Sequence, residues 1–173
     1  MKRARTSASN ALEYEDEIRK AADNVDEAKQ IDEVISELRK VANESTAIGK
    51  SRLYRVQGGD VNPNISKFRF IFRNSKLEII GKDRLHITFD DVERAIEFYI
   101  KRGDKAEVFT ANINKSFLDK IKSEAVPQEF SKAFPTRPQI DDPTKTKGSF
   151  GLHESYFEEL LKNISNPIII KKQ

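Results

Sequence analysis

The chain has 173 residues, the length of one ordinary domain, with 37% hydrophobic residues, 34% charged residues and a formal net charge of +3. It contains no Cys, which excludes disulfide scaffolds, zinc–thiolate sites and cysteine nucleophiles. No apolar run approaches the roughly 20 residues of a membrane helix, so we expect no membrane insertion by this segment.

Two helices are predicted at the start of the chain, over residues 10–22 and 25–43. In the second, apolar residues recur every three or four positions: Ala28, Ile31, Ile35, Leu38 and Ala42. Residues 44–51 are small and polar, which is typical of a hinge. This lead is acidic overall, whereas the excess of positive charge lies in the rest of the chain. We therefore divide the chain into a helical lead or linker, residues 1–50, and a main domain, residues 51–173.

A hydrophobic period of two begins at Leu53 and indicates β-strands. Four short runs follow this pattern: residues 53–57, 67–73, 76–80 and 84–89. Their connections include the tight-turn sequence Asn74-Ser75, so the four strands are predicted to form an antiparallel β-meander. Phe68, Phe70 and Phe72 would face helices packed on one side of this sheet.

The polar residues of these strands alternate with the apolar ones and are therefore predicted to share the opposite, open face. That face would carry Arg55, Gln57, Lys67, Arg69, Arg73, Arg84, His86 and Thr88. Most of these side chains are basic, and a basic surface attracts partners that carry phosphate groups.

Beyond the meander, helices and strands alternate. The spacing predicts a helix over 91–102, a strand over 106–113, a short helix through 117–121, a helix over 157–164 and an edge strand over 167–171. Residues 126–148 hold four of the six prolines and are predicted to form an ordered loop. The predicted fold class is α+β, with N-terminal helices followed by an antiparallel meander and packed helices.

The sequence lacks the common signatures of P-loop proteins, dinucleotide-binding folds, zincins and serine hydrolases. His86 on the polar face can act as a general acid or base near neutral pH. Arg55 and Arg69 would then stabilise the charge of a phosphorane, as metal-independent cleavage of RNA requires. The residues expected to hold the RNA are Lys67, Arg73, Arg84 and Gln57.

Three other groups of residues have structural interpretations. His153 follows Gly151-Leu152 and opens the last helix, where a helix-start role explains it. The carboxylate pairs Asp90-Asp91 and Asp141-Asp142 have the oxygen ligands that Mg²⁺ prefers. However, the first lies at a helix cap and the second lies in the Pro-rich loop, so no metal is assigned to either.

Several strings between residues 52 and 170 form one pattern. They are YRVQGG, KFRFIFRNSKLEIIG, HITFDDVERAIEFYIKRGDKAEVFTANINKSFLDKI and RPQIDDPTKTKGSFGL. The pattern resembles the C-terminal toxin domains of bacterial polymorphic toxins of the Rhs, contact-dependent inhibition and LXG types. The resemblance implies an effector domain that rides on a large delivery protein, is secreted with it and acts in the cytoplasm of a target cell. It also implies a cognate immunity protein, which we expect to be acidic because opposite charge speeds association.

The resemblance leaves the reaction open between two enzymes. The first is a metal-independent ribonuclease similar to the barnase, EndoU and colicin group, which needs no cofactor and which we rank first. The second is an ADP-ribosyltransferase that uses NAD, with Arg55 on its first strand, Thr88 on a hydroxyl-bearing strand before a helix, and a downstream Glu. Gln139-Ile140-Asp141 has Asp where that pattern has Glu. A non-enzymatic binding module is the third alternative.

Overall fold

The computed structural model describes residues 25–59, 68–82, 84–141 and 148–172. The predicted helix over residues 10–22 and the side chain of Lys67 lie outside the described residues. The described helices are α1 (Val25–Ala47), α2 (Val92–Lys101), α3 (Lys115–Glu124) and α4 (Phe157–Asn163). None of them is long and apolar enough to span a membrane.

The strands are β1 (Ser51–Gly58), β2 (Arg69–Arg73), β3 (Lys76–Ile80), β4 (Leu85–Phe89), β5 (Ala106–Ile113), β6 (Val126–Pro127), β7 (Gln139–Ile140), β8 (Ser149–Leu152) and β9 (Ile164–Lys171). Seven of them form one sheet in the order β6-β7-β8-β4-β1-β5-β9, while β2 and β3 form a separate hairpin. Within the large sheet only β6 and β7 are parallel. The α+β class predicted from the sequence is confirmed.

The order of the strands differs from the predicted meander. β1 is an interior strand that pairs with β5 along its whole length and with β4 over two residues, but it does not pair with the described strands of the hairpin. The hairpin instead packs against the face of the sheet, where the ring of Phe70 stacks on that of Phe109 with 3.8 Å between centroids. Burying two apolar surfaces against each other outweighs extending the sheet by two short strands.

The first core lies between the sheet and the hairpin together with α3 and α4. Asn74 and Ser75 have left-handed φ values of 51° and 61°, which a two-residue hairpin turn requires. Phe68 and Phe70 point inward as predicted and are buried, whereas Phe72 lies near the hairpin tip and is half exposed. The other buried members of this core include Leu53, Leu85, Ile87, Phe109, Ile113, Phe117, Ile121 and Leu160.

The second core lies on the opposite face of the sheet, under α1 and α2. The apolar stripe of α1 supplies Ile31, Val34, Ile35, Leu38 and Val41, which pack on β1, β5 and α2. Outside this core, Arg39 of α1 makes a two-pronged ion pair with Glu93 of α2, with both N–O distances at 3.0 Å. Both faces of the sheet are therefore covered.

The predicted hinge over residues 44–51 is shorter than expected because α1 continues through Ala47. Ser45 and Thr46 remain helical, and their hydroxyls donate to the carbonyls of Val41 and Ala42. Gly49, with a φ of 65°, then turns the chain into β1.

Arg52 fixes the last turn of α1 on the sheet. Its buried guanidinium donates to Thr110 Oγ1 at 2.7 Å, Ser45 Oγ at 2.9 Å and Asn112 Oδ1 at 3.1 Å. These acceptors are neutral, and burial lowers the pKa of Arg52. The division of the chain at residue 50 stays a prediction, but within the described residues α1 shares a core with the strands that follow it.

We expect the substitution Leu38→Ala to lower the free energy of unfolding by about 2–4 kcal/mol, because it leaves a cavity in the second core. Leu38 is fully buried there. The matched control is Lys40→Ala on the exposed side of the same helix, which should change the stability by less than about 0.5 kcal/mol. Urea unfolding followed by circular dichroism measures both. Equal midpoints for the two variants would mean that α1 does not contribute to the folded core.

Candidate functional site

A cleft of about 290 Å³ opens where β1 and β4 separate. The two strands pair only at Leu53–Phe89 and Tyr54–Thr88, and beyond these positions they diverge. Residues of β1, β4, α2, β8 and the end of β7 line the opening: Tyr54, Arg55, Val56, His86, Ile87, Thr88, Phe98, Arg102, Asp141 and Ser149. The cleft therefore joins side chains from distant parts of the sequence.

The divergence turns a stretch of β1 backbone toward the cleft. At the end where the strands remain together, the backbone of Arg52 points toward β4. The N–H of Arg52 donates to Asp90 Oδ1 at 2.7 Å, and the N–H of Asp90 donates to the Arg52 carbonyl at 2.8 Å. Because backbone groups alternate in direction along a strand, the N–H and C=O of Val56 lie on the same side of β1. The register with β4 ends before Val56, so these two groups face the cleft.

Arg55 lies at the point of divergence and is 5% exposed. Its guanidinium donates to the His86 carbonyl of β4 at 2.9 Å and to the Phe68 carbonyl before β2 at 3.1 Å. Its pKa is lowered to about 9, mainly by burial and also by the nearby charge of Arg102, while Asp141 opposes the shift. Arg55 thus remains cationic near neutral pH and connects β1, β4 and the hairpin.

His86 and Asp141 form a pair at the mouth of the cleft. His86 Nδ1 lies 2.9 Å from Asp141 Oδ2 and 3.1 Å from Oδ1. An ionised carboxylate accepts hydrogen bonds only, so Nδ1 carries the proton, and Nε2 is the nitrogen that can exchange a proton with a ligand. The side chain of His86 is about half exposed, whereas that of Asp141 is mostly buried.

Two neighbouring positions hold this pair in place. The N–H of Asp141 donates to the Ser149 carbonyl at 3.1 Å, which ties the end of β7 to β8. Gly151 of β8 lies beside the imidazole, where a Cβ atom would come within 3.2 Å of His86 Cε1. The absence of a side chain at Gly151 therefore leaves room for the ring of His86.

The walls of the cleft combine hydroxyls with aromatic rings. Thr88 and Ser149 are register partners on β4 and β8, and both line the cleft. Phe98 supplies aromatic surface from α2, whereas Tyr54 of β1 borders the cleft with only 1% of the residue exposed. The guanidinium of Arg94 lies 4.4 Å from the centroid of the Phe98 ring and packs against it.

The polar face predicted from the sequence does not exist as an open surface. Leu53 and Leu85 belong to the same core, so alternation directs Arg55 to the hairpin side of the sheet and His86 to the α2 side. Both residues line the same cleft because the strands separate between them. The predicted alternation of side chains within β1 and within β4 was correct, but the prediction that Arg55 and His86 share one face of the sheet was wrong.

The remaining predicted residues lie outside the cleft. Gln57 is fully buried: it exchanges hydrogen bonds with the backbone of Phe70 at 2.8 Å and donates to Glu107, which is also the ion-pair partner of Arg69 at 3.0 Å. Arg73 makes an exposed ion pair within the hairpin. Arg84 donates to three backbone carbonyls, those of Pro135, Arg137 and Gly151. These contacts hold the hairpin and the loop before Asp141 in position.

The sequence patterns missed several residues of the cleft. Asp141 was assigned a structural role in a carboxylate pair, Arg102 is the last residue of the helix predicted over 91–102, and neither Tyr54 nor Phe98 was expected at a site. The signal that was available is Gln139-Ile140-Asp141, because it places an acidic residue next to a short strand.

We expect Arg55→Ala to lower the free energy of unfolding by about 2–4 kcal/mol, because the carbonyls of His86 and Phe68 lose a charged donor inside the protein. This outcome differs from a purely catalytic role, which would leave stability intact. The control is Arg73→Ala, which removes one partner of the exposed ion pair in the hairpin and should change stability by less than about 0.5 kcal/mol. Urea unfolding of both variants tests the contrast, and an Arg55→Ala variant as stable as the parent would contradict it.

Within the described residues, no group of three or more His, Cys, Asp or Glu side chains is arranged to hold a metal ion. Comparison with family models, curated proteins and solved structures found no match for the chain. The functional assignment therefore depends on the geometry of the cleft.

Proposed function

We propose that the cleft binds NAD and that the chain is a toxin domain of the ADP-ribosyltransferase type. One observation carries this proposal. Arg55, Thr88 and Asp141, which occupy the three positions of the transferase pattern, line one cleft although they are far apart in the sequence. The third position holds Asp instead of Glu, which keeps the carboxylate on a side chain that is shorter by one methylene.

The chemistry of the walls fits the nicotinamide end of NAD. The ring of Phe98 offers aromatic surface to a planar ring. The backbone N–H and C=O of Val56 match the donor and acceptor of a carboxamide. The cleft volume of about 290 Å³ lies at the small end of ligand pockets, so it holds one ring and its sugar while the rest of the dinucleotide crosses the mouth.

In the proposed reaction the bond between ribose C1′ and the nicotinamide nitrogen breaks, and its electron pair leaves with nicotinamide. An acceptor nucleophile forms the new bond to C1′ and releases a proton. Asp141 stabilises the positive charge that develops on the sugar and accepts that proton, as carboxylates do in glycoside chemistry. His86 holds the Asp141 carboxylate in orientation through Nδ1.

A metal-independent ribonuclease is the second candidate, and the His86–Asp141 pair favours it. A histidine whose Nδ1 is held by a carboxylate presents Nε2 as a general base or acid. The transferase ranks higher because both sheet faces are covered, and because Arg69 and Gln57 are engaged away from the cleft. RNA would therefore meet one histidine at a narrow opening and not a broad basic face.

The proposed setting is competition between bacteria, as the resemblance to polymorphic toxins implies. The domain would be secreted within a large delivery protein and reach the cytoplasm of the target cell. An acidic immunity protein would protect the producing cell by covering the mouth of the cleft, where Arg55 and Arg102 supply positive charge.

The function is tested by incubating the purified chain with NAD and, separately, with total RNA. We expect release of nicotinamide, and we expect Thr88→Val and Asp141→Asn each to lower its rate by on the order of 10²-fold, because each removes a contact to the reacting group. Asp119→Asn is the matched control, since Asp119 forms an exposed ion pair on α3 and should leave the rate unchanged. His86→Ala should cost less than Asp141→Asn.

RNA fragments without loss of NAD, together with His86→Ala as the most damaging substitution, would overturn the transferase in favour of the ribonuclease. A chain that is folded and consumes neither substrate would instead be a binding module.

A further inference from the structure

Arg102 reaches the cleft from the opposite side to Arg55. It caps the C-terminal end of α2, where its N–H bonds to the carbonyls of Phe98 and Tyr99. From there its guanidinium donates to the Gly58 carbonyl at the end of β1, at 3.2 Å. The side chain of Arg102 therefore spans the opening between α2 and β1.

The backbone at Gly59 fixes the position of Arg102. A Cβ atom on Gly59 would lie 2.5 Å from the Arg102 carbonyl oxygen and 2.8 Å from Arg102 Cβ, and the φ of Gly59 is 94°. Only glycine allows this close approach. The chain thus places the base of the Arg102 side chain directly against the end of β1, which limits how far the guanidinium can move from the cleft.

The charge in the cleft is unbalanced. Among the described lining residues, Arg55 and Arg102 are cationic and Asp141 is the one carboxylate, and that carboxylate already contacts His86. Burial lowers the pKa of Arg102, and the proximity of Arg102 contributes to the lowered pKa of Arg55. Two partly desolvated cations that repel each other are stabilised by an anion placed between them.

The two arginines differ in how many donors they can offer. Arg55 is committed to two backbone carbonyls, so it supplies mainly positive charge. Within the described part of the chain, the side-chain hydrogen bond of Arg102 goes to Gly58 alone, which leaves most of the five N–H donors of its guanidinium for a ligand. A planar guanidinium matches two oxygens of a phosphate group.

We propose that Arg102 is the residue that binds the diphosphate of the dinucleotide in this cleft, supported by the field of Arg55. This inference rests on the proposed function, because it names the part of NAD that Arg102 recognises. Arg102 then orients the sugar toward Asp141, and it makes the diphosphate, more than the nicotinamide ring, the main source of affinity.

The test measures the binding of NAD, ADP-ribose and nicotinamide riboside by isothermal titration calorimetry. Arg102→Gln should weaken NAD and ADP-ribose by on the order of 10-fold or more, because a charged pair of hydrogen bonds is lost, and should leave nicotinamide riboside unchanged. Arg102→Lys keeps the charge, so its affinity for NAD and ADP-ribose should lie between that of the parent and that of Arg102→Gln. Lys122→Gln, which removes an exposed charge on α3, is the control and should bind like the parent.

Each other outcome is decisive. Equal losses for all three ligands would mean that Arg102 only shapes the cleft, and no loss for any of them would mean that another residue binds the diphosphate; either result overturns the inference while the proposed function stands. Binding of pyrophosphate and a short RNA but not of NAD, again sensitive to Arg102→Gln, would overturn the proposed function and the dinucleotide assignment together. Thermal unfolding of each variant confirms that the comparison is between folded proteins.

Discussion

The buried guanidinium of Arg55 is the interaction on which the arrangement of this protein depends. In a regular sheet, β1 and β4 would continue their ladder and the carbonyl of His86 would accept from a backbone N–H. Here Arg55 takes the place of that partner and also binds the Phe68 carbonyl at the root of the hairpin. Buried backbone carbonyls need a donor, so the two strands can separate only because a side chain supplies one. The opening between the strands and the seating of the hairpin have the same cause.

Because both faces of the sheet are covered, the cleft between β1 and β4 is enclosed by protein. The hairpin, α3 and α4 occupy one side, and α1 and α2 occupy the other. Charges in such an enclosed place act through less water than charges on an open surface, so each exerts a stronger field on a bound group. The modest net charge of the whole chain therefore says little about the local field, which is set by Arg55, Arg102 and Asp141.

Local patterns in the sequence were sufficient to place most helices and strands. The stripe of α1, the alternation of Phe68, Phe70 and Phe72, and the turn at Asn74-Ser75 each follow from periods and turn chemistry that a short window contains. The packing of the hairpin could not be predicted in this way, because alternation tells which side chains share a face but not which surface that face meets. Gln57 shows the difference: its polar side chain is buried because it pairs with the backbone of Phe70.

Local sequence patterns could not predict the cleft for a related reason. Asp141 reaches His86 because β7 pairs with the nearby β8 and β8 pairs with β4, and the β8–β4 pairing joins segments separated by more than fifty residues. No window of the sequence contains both side chains. Arg55 was found by its position on the first strand, but its burial depends on the divergence of β4, which no propensity encodes.

The interior position of β1 has a consequence for how the chain folds. β1 is the first described strand, yet its partners are β4 and β5, and the next strands on either side, β8 and β9, come from the last quarter of the chain. Pairings between distant segments carry the entropy cost of closing long loops before they gain any contact, so this domain should fold more slowly than a helical domain of the same size. The cleft needs β1, β4 and β8 together and therefore forms late, after nearly the whole polypeptide has folded. During synthesis or refolding, the hydrophobic segments of the chain would therefore be exposed before the cleft forms.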